Sequence, residues 1–208
     1  MIKLIVFDLR KTLAYRDIPE ERTVTMQNAL HLDISHNDFV EFYELSLQTR
    51  RWESKSDAYT FFCKALWLPV TEERVQILIS IAEHAEKRAK AYSHTISMLE
   101  QLKKAWYKLW IISNNWNFAL EWVKHNTQIL DFIDYPLFSF EVWSVKPDLK
   151  IYRKMLEISW CKPEEVIMIW DKMKDDVIPP RKIWMNSLLY EDYKKLKKDL
   201  LKYDIVLK

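Results

Sequence analysis

The chain has 208 residues, 49% of them hydrophobic and 30% charged, with 32 basic and 30 acidic side chains giving a net charge of +2. That length supports one core domain with a modest insertion, and the charge balance gives no electrostatic case for nucleic acid or an anionic membrane. No apolar run approaches the ~18 residues of a membrane-spanning helix.

The N-terminus enters a strand almost at once, so no signal peptide is expected. Lys3-Leu-Ile-Val-Phe7 is short, apolar and rich in β-branched or aromatic residues, the pattern of a fully buried parallel strand. Asp8 follows at its carboxyl end, where open α/β sheets place their ligands. On this stretch alone, Asp8 reads equally as a helix-capping residue or as a nucleophile or metal ligand.

Residues 16–92 are helical in character, and no strand is expected among them. One helix follows Glu20-Glu21 and carries Val24, Met26 and Leu30. Asn37 or Asp38 can cap a second, running through Leu47, and Ser54 or Ser56 can start a third. Thr71 followed by Glu72 and Glu73 opens a long fourth helix with Val75, Leu78, Ile79, Ala82 and Ala85 on one face.

Strand–helix alternation then begins. Strands are expected at 108–112, 137–140, 166–169, 187–190 and 204–207. Helices are expected at 95–105, around 118–123, after Ser144–Asp148 and at 193–201, with another interrupted by Pro179-Pro180. The order predicts an α/β fold: a Rossmann-like three-layer core with a parallel sheet. The core would comprise residues 1–14 and 93–208, and residues 15–92 would form a small all-helical domain inserted in it. Cys63 and Cys161 form no metal motif and fit a reducing cytoplasm or a single disulfide.

Glycine is absent and tryptophan occurs ten times. Trp67, Trp106, Trp160 and Trp184 each follow a predicted helix, where a left-handed residue is wanted and glycine is preferred. Trp170, before Asp171, also stands where a small residue is expected. Either tryptophan has been substituted for glycine throughout, or the rings serve a core or an interface. At the helix ends the first reading predicts a Cβ penalty and an exposed ring.

Four features fall at strand ends: Asp8, Ser113-Asn114, Lys146, and Asp171 with Asp176. In a parallel sheet all carboxyl ends face one way, so these can converge. A carboxylate can attack phosphorus or carbon, a hydroxyl and an amide can hold the transferring group, and a lysine can neutralise charge. Further carboxylates can hold Mg²⁺.

The motifs Val6-Phe7-Asp8-Leu9-Arg10-Lys11-Thr12-Leu13, Ile111-Ile112-Ser113-Asn114, Lys146-Pro147-Asp148, and Ile169-Trp170-Asp171 with Asp176-Val177 resemble, in that order, the four motifs of the haloacid dehalogenase superfamily. The resemblance covers nearly the whole chain, and the 15–92 block is similar to that family's helical cap. Trp110 and Trp143 also lie where such relatives have glycine. The resemblance implies Asp8 as nucleophile and Mg²⁺ ligand, Thr12 supporting the first loop, and Ser113 binding the phosphoryl group with Asn114 beside it. It further implies Lys146 neutralising charge, and Asp171 and Asp176 as metal-binding acids.

Two positions depart from the pattern. Arg10 stands where phosphatases of the family carry the general acid/base aspartate, and a guanidinium does not exchange protons near neutral pH. It could offer its carbonyl to the metal, bind an anion, or pair with Asp8 and block it. Lys11 stands where the motif has glycine, which predicts a strained loop.

The expected function is a Mg²⁺-dependent phosphatase acting on a small phosphorylated substrate through an aspartyl-phosphate, slowed at proton transfer. The alternatives are a non-catalytic relative that binds a phosphorylated ligand or protein partner, and a 2-haloacid dehalogenase-like hydrolase. No nucleic-acid or membrane partner is expected, and the sequence leaves the oligomeric state and the substrate open.

Overall fold

The computed structural model describes residues 1–173 and 177–208. The predicted acid Asp176 lies outside them. The main sheet has five strands in the order β5-β4-β1-β6-β7: β1 (Leu4–Phe7), β4 (Lys108–Ser113), β5 (Tyr135–Phe138), β6 (Val166–Trp170) and β7 (Asn186–Leu189). Every pairing in it is parallel.

The period-two alternation of strand side chains divides the core. Ile5, Phe7, Leu109, Ile111, Ile167 and Ile169 pack on one face with helices α5 (Thr95–Lys104), α6 (Ala119–Asn126) and α10 (Tyr193–Leu200). Leu4, Val6, Trp110, Ile112, Met168 and Trp170 pack on the other with α8 (Leu149–Ser159). Both faces are therefore covered, as a continuously apolar parallel strand requires, and the predicted three-layer α/β architecture is present.

Between the first two core strands of the chain, β1 and β4, come α1 (Arg22–Ala29), α2 (His36–Leu47), α3 (Lys55–Ala65) and α4 (Glu72–Lys87). Ser54 and Thr71 cap α3 and α4 through their side chains. The cap of α2 is Ser35 rather than Asn37 or Asp38; its hydroxyl accepts from the Asp38 N–H and donates to the Asp38 carboxylate.

Three further expectations are corrected. The block from 16 to 92 does contain strand: β2 (Ala14–Arg16) pairs antiparallel with β3 (Ala89–Ala91). Three residues are too few to display a period-two pattern. Strand β5 begins earlier than expected, and Ser139–Val142 forms a helical turn, α7, whose Glu141 carboxylate accepts from the Phe138 N–H at 2.8 Å.

The two prolines stand in the first turn of α9 (Ile178–Arg181), where their missing N–H groups cost little. Residues 204–207 form no strand. Ile205 and Leu207 are buried, but in a segment that follows a 3₁₀ turn at Leu201–Tyr203 and makes no ladder. Both thiols, Cys63 and Cys161, are free. Among the described residues no helix is long and apolar enough to cross a membrane.

Nine of the ten tryptophans fall into two populations, and Trp52 is half-buried. Trp67, Trp106, Trp143, Trp160 and Trp184 have φ between 55° and 67° and are 68–95% exposed. A Cβ at such φ approaches the following carbonyl, so the conformation is disfavoured for every residue but glycine. Trp110, Trp116, Trp122 and Trp170 are buried in the core at ordinary φ. For Trp110 and Trp170 the expectation of a glycine-like position is thus not met: both rings fill the space between the sheet and its neighbours, contacting Tyr135 and Tyr152 respectively.

Candidate active site

Asp8 leaves β1 with its N–H donating to the Ile169 carbonyl at 3.0 Å, which holds it against the end of β6. The chain then turns tightly. The Leu13 and Ala14 N–H groups both donate to the Leu9 carbonyl, and the Lys11 N–H donates to Ala14 at 2.7 Å. Lys11 has φ 64°, so the glycine position of the motif does carry backbone strain. Thr12 is buried within this turn, and its hydroxyl has no hydrogen-bond partner among the described residues.

Lys146 reaches Asp8 from far along the chain, with Nζ donating to Oδ1 at 2.7 Å and both side chains buried. The ammonium also lies 3.4 Å from the centroid of the Trp170 ring. The electron-rich ring face and the carboxylate together stabilise a charge that burial would otherwise disfavour. Asn114 fixes the main chain at this point: its Oδ1 accepts from the Lys146 N–H at 2.7 Å, and its Nδ2 donates to the Lys146 carbonyl at 3.0 Å. Ser113 is buried at the end of β4, with Asn115 Nδ2 donating to its hydroxyl at 3.3 Å. Asp171 follows β6. Burial and then the Asp8 charge push its carboxyl above the ordinary aspartate range, while Lys146 and Arg10 pull it down.

Asp8, Ser113, Lys146 and Asp171 are thus gathered at the carboxyl ends of β1, β4 and β6. Arg10 does not pair with Asp8. Its guanidinium donates to Glu21, the residue before α1, at 2.6 Å, and Lys11 pairs with the other oxygen of Glu21 at 2.9 Å. The nucleophile candidate is therefore left to Lys146.

The helical block supplies Glu44, on α2, which accepts from Asn114 Nδ2 at 2.7 Å. The sequence pass overlooked it. The signal was available: Glu44 and Gln48 are spaced i, i+4 next to the buried Tyr43 and Leu47. Burial pushes the Glu44 carboxyl above its usual range, against the hydrogen bond from Asn114 and the charges of Lys172, Lys146 and Arg10.

A folded-state pKa above the unfolded one means that the folded state binds the proton more tightly. The contribution to stability is full below the unfolded value and is lost as pH rises through the folded value. Glu44→Gln is therefore expected to be more stable than the parent at pH 8, with the gain vanishing near pH 4. Denaturant midpoints at the two pH values measure it, and an equal effect at both would rule out the ionisation of Glu44 as its cause.

The arrangement offers hard oxygen donors to a divalent cation. Asp8 and Asp171 are close enough for the Asp8 charge to hinder ionisation of Asp171, and a cation between them would relieve that repulsion. Among the described residues there is no cluster of three or more His, Cys, Asp or Glu able to hold a metal. Mg²⁺ is usually held by one or two carboxylates together with water and substrate phosphate, and Asp8 and Asp171 are two such groups.

The glyceraldehyde 3-phosphate phosphatase of Methanothermobacter thermautotrophicus is 26% identical over 199 residues, covering 91% of this chain and 85% of that protein. The fold is similar to that of a predicted HAD-like hydrolase from Porphyromonas gingivalis, with a TM-score of 0.70 at 20% identity, covering 97% of this chain and 98% of that one. It is also similar to a HAD family enzyme from Bacteroides thetaiotaomicron in complex with magnesium and inorganic phosphate. There the TM-score is 0.67 at 16% identity, covering 94% and 99% of the two chains. The match to the family itself runs over residues 5–188, which takes in Asp8, Ser113, Lys146 and Asp171, and the chain belongs to the haloacid dehalogenase-like hydrolases.

Proposed function

We propose that the chain is a Mg²⁺-dependent phosphatase of a small phosphate ester, with residues 1–14 and 93–208 as its catalytic core and 15–92 as a cap. The observation that carries this reading is the buried Asp8–Lys146 pair at 2.7 Å, set among Ser113 and Asp171 at the strand ends. The similarity to a phosphatase along most of its length supports the reaction class.

One carboxylate oxygen of Asp8 attacks phosphorus, the ester oxygen leaves with the bonding pair, and an aspartyl-phosphate forms. Water then attacks that phosphorus, returning the carboxylate and releasing phosphate. Lys146 holds the Asp8 carboxylate in place and offsets negative charge as the phosphoryl group arrives. The Ser113 hydroxyl donates to a phosphoryl oxygen. Asn114 acts by fixing Lys146, since its amide is taken up by the Lys146 main chain and Glu44. Asp8 and Asp171 would hold Mg²⁺, with Asp176 as the further acid; the ion would supply charge neutralisation at the phosphate. Arg10 cannot give the leaving group its proton, so that proton comes from water and turnover is slow.

The test is phosphate release from an aryl phosphate with and without Mg²⁺, alongside chloride release from 2-chloropropionate. Mg²⁺-dependent phosphate release that is lost in Asp8→Asn supports the proposal. Chloride release would favour the dehalogenase reaction instead, and silence in both assays would favour a non-catalytic binder.

Metal binding has its own readout. Mg²⁺ at 100 times its dissociation constant stabilises the fold by about 2.7 kcal/mol. For a domain of this size, that raises the melting temperature by about 5–10 °C at roughly 2–4 °C per kcal/mol. Asp171→Asn is expected to remove most of the rise, and an undiminished rise would exclude Asp171 as a ligand.

A further inference from the structure

We propose that Arg16 and Arg22 form a subsite for a second anionic group on the substrate, of carboxylate size, so that the preferred substrate is a phosphorylated acid. The proposal rests on the phosphatase reading above and specifies its substrate class.

A small cavity of about 40 Å³ lies where the helical block meets the strand ends, lined by Arg10, Arg16, Arg22, Tyr43, Glu44 and Asn114 among others. A water needs about 10–15 Å³ on this measure, so the space holds roughly three heavy atoms, the size of a carboxylate. Asn114 ties this wall to Lys146 and so to the reacting end.

The wall carries an excess of positive charge. Arg22 is only 5% exposed, and among the described residues its Nε and Nη1 have no hydrogen-bond partner; the Nε of Arg16 is likewise buried and unpartnered there. Among the described residues neither guanidinium has a salt-bridge partner. The carboxylates nearby are already engaged: Glu21 by Arg10 and Lys11, Glu86 by Lys55 at 2.8 Å and by the Trp116 indole. Glu44 accepts from Asn114 Nδ2 at 2.7 Å, and burial pushes its carboxyl above the usual range. Burial, and then the charges of Arg22 and Arg10, push the Arg16 guanidinium down to about 9, whereas that of Arg22 is raised, against its burial, by Tyr43, Tyr59, Glu86 and Glu21.

Aromatic rings hold the two groups in place. Arg22 lies over Tyr43 with 5.0 Å between its guanidinium carbon and the ring centroid, and Arg16 lies over Trp122 at 5.9 Å. A ring beside a guanidinium attracts its charge without taking up its N–H donors, and those donors suit a planar carboxylate. Buried N–H donors without partners are costly, and an anionic group entering the cavity would satisfy them.

Three substrates that differ only in one carbon test the proposal: 3-phosphoglycerate, glyceraldehyde 3-phosphate and glycerol 3-phosphate, which present an acid, an aldehyde and an alcohol. With Mg²⁺ present, kcat/KM for the acid is expected to exceed that for the alcohol by at least about tenfold, the equivalent of one charged hydrogen bond. The ratio should fall towards one in Arg22→Gln and in Arg16→Gln, and part of it should survive in Arg22→Lys. A ratio near one in the parent chain, or a ratio unchanged in both glutamine variants, overturns the subsite.

Equilibrium binding of the acid and the alcohol to Asp8→Asn asks the same question without turnover. A chain that releases no phosphate would sink the phosphatase reading, while tighter binding of the acid that depends on Arg16 would still support the subsite. Equal binding of the two would overturn it.

Discussion

Arg10→Asp is expected to raise phosphatase turnover by about 10²–10⁴-fold, the usual contribution of a positioned general acid/base. Arg10 leaves the end of β1 two residues after Asp8, so a shorter acidic side chain would stand beside the reacting centre rather than reach away to Glu21. The new carboxyl would sit near Asp8 and Asp171, two like charges that raise its pKa and favour the protonated form a leaving group needs. Breaking the Arg10–Glu21 pair costs little, because both side chains are more than a third exposed and such pairs contribute about 0–1 kcal/mol. Lys11 remains to hold Glu21. The measurement is steady-state phosphate release across pH, where the variant should gain a limb set by the new acid. No gain in rate would mean that proton transfer is not what limits this site.

Replacing Trp67, Trp106, Trp160 and Trp184 with glycine is expected to stabilise the fold by about 2–4 kcal/mol in total. Each left-handed residue bearing a Cβ costs about 1–2 kcal/mol. Glycine returns part of this through its freer unfolded chain, about 0.4–1 kcal/mol, which leaves roughly 0.5–1 kcal/mol per site. No packing is lost, because the four rings are 84–95% exposed. The sites end four different helices, so their effects should add. At about 2–4 °C per kcal/mol the melting temperature should rise by roughly 10 °C.

Trp116→Ala is the counter-case. That ring is 1% exposed, meets Tyr59 and Phe118 edge-on, and donates to Glu86. Its loss should cost about 3–5 kcal/mol. Opposite signs from one residue type would establish that backbone conformation, not composition, decides the effect. A destabilised quadruple variant would show that the exposed rings contribute contacts to the fold.

The sequence by itself determined the α/β core and the order of its chemistry. Short, β-branched apolar runs such as Leu4–Phe7 and Val166–Trp170 read as strands buried on both faces, and in a parallel sheet the residues after them share one edge. The tryptophans after helices also betrayed their left-handed backbone, because helix ends make a local demand that local sequence reveals. The short β2–β3 pair stayed invisible, since three-residue strands carry no period and exist only through pairing across more than seventy residues. Ile205 and Leu207 misled for the converse reason: alternation records burial, not a hydrogen-bonded neighbour.

Only the tertiary structure decided the electrostatics. The partner of Arg10 is Glu21 rather than Asp8, Lys146 rests on Trp170, and among the described residues Arg16 and Arg22 form no salt bridge and keep buried N–H groups without partners. Charge pairing depends on distances between residues that the chain brings together from far apart, and on how much water folding removes from around them. Neither quantity is written at any single position of the sequence.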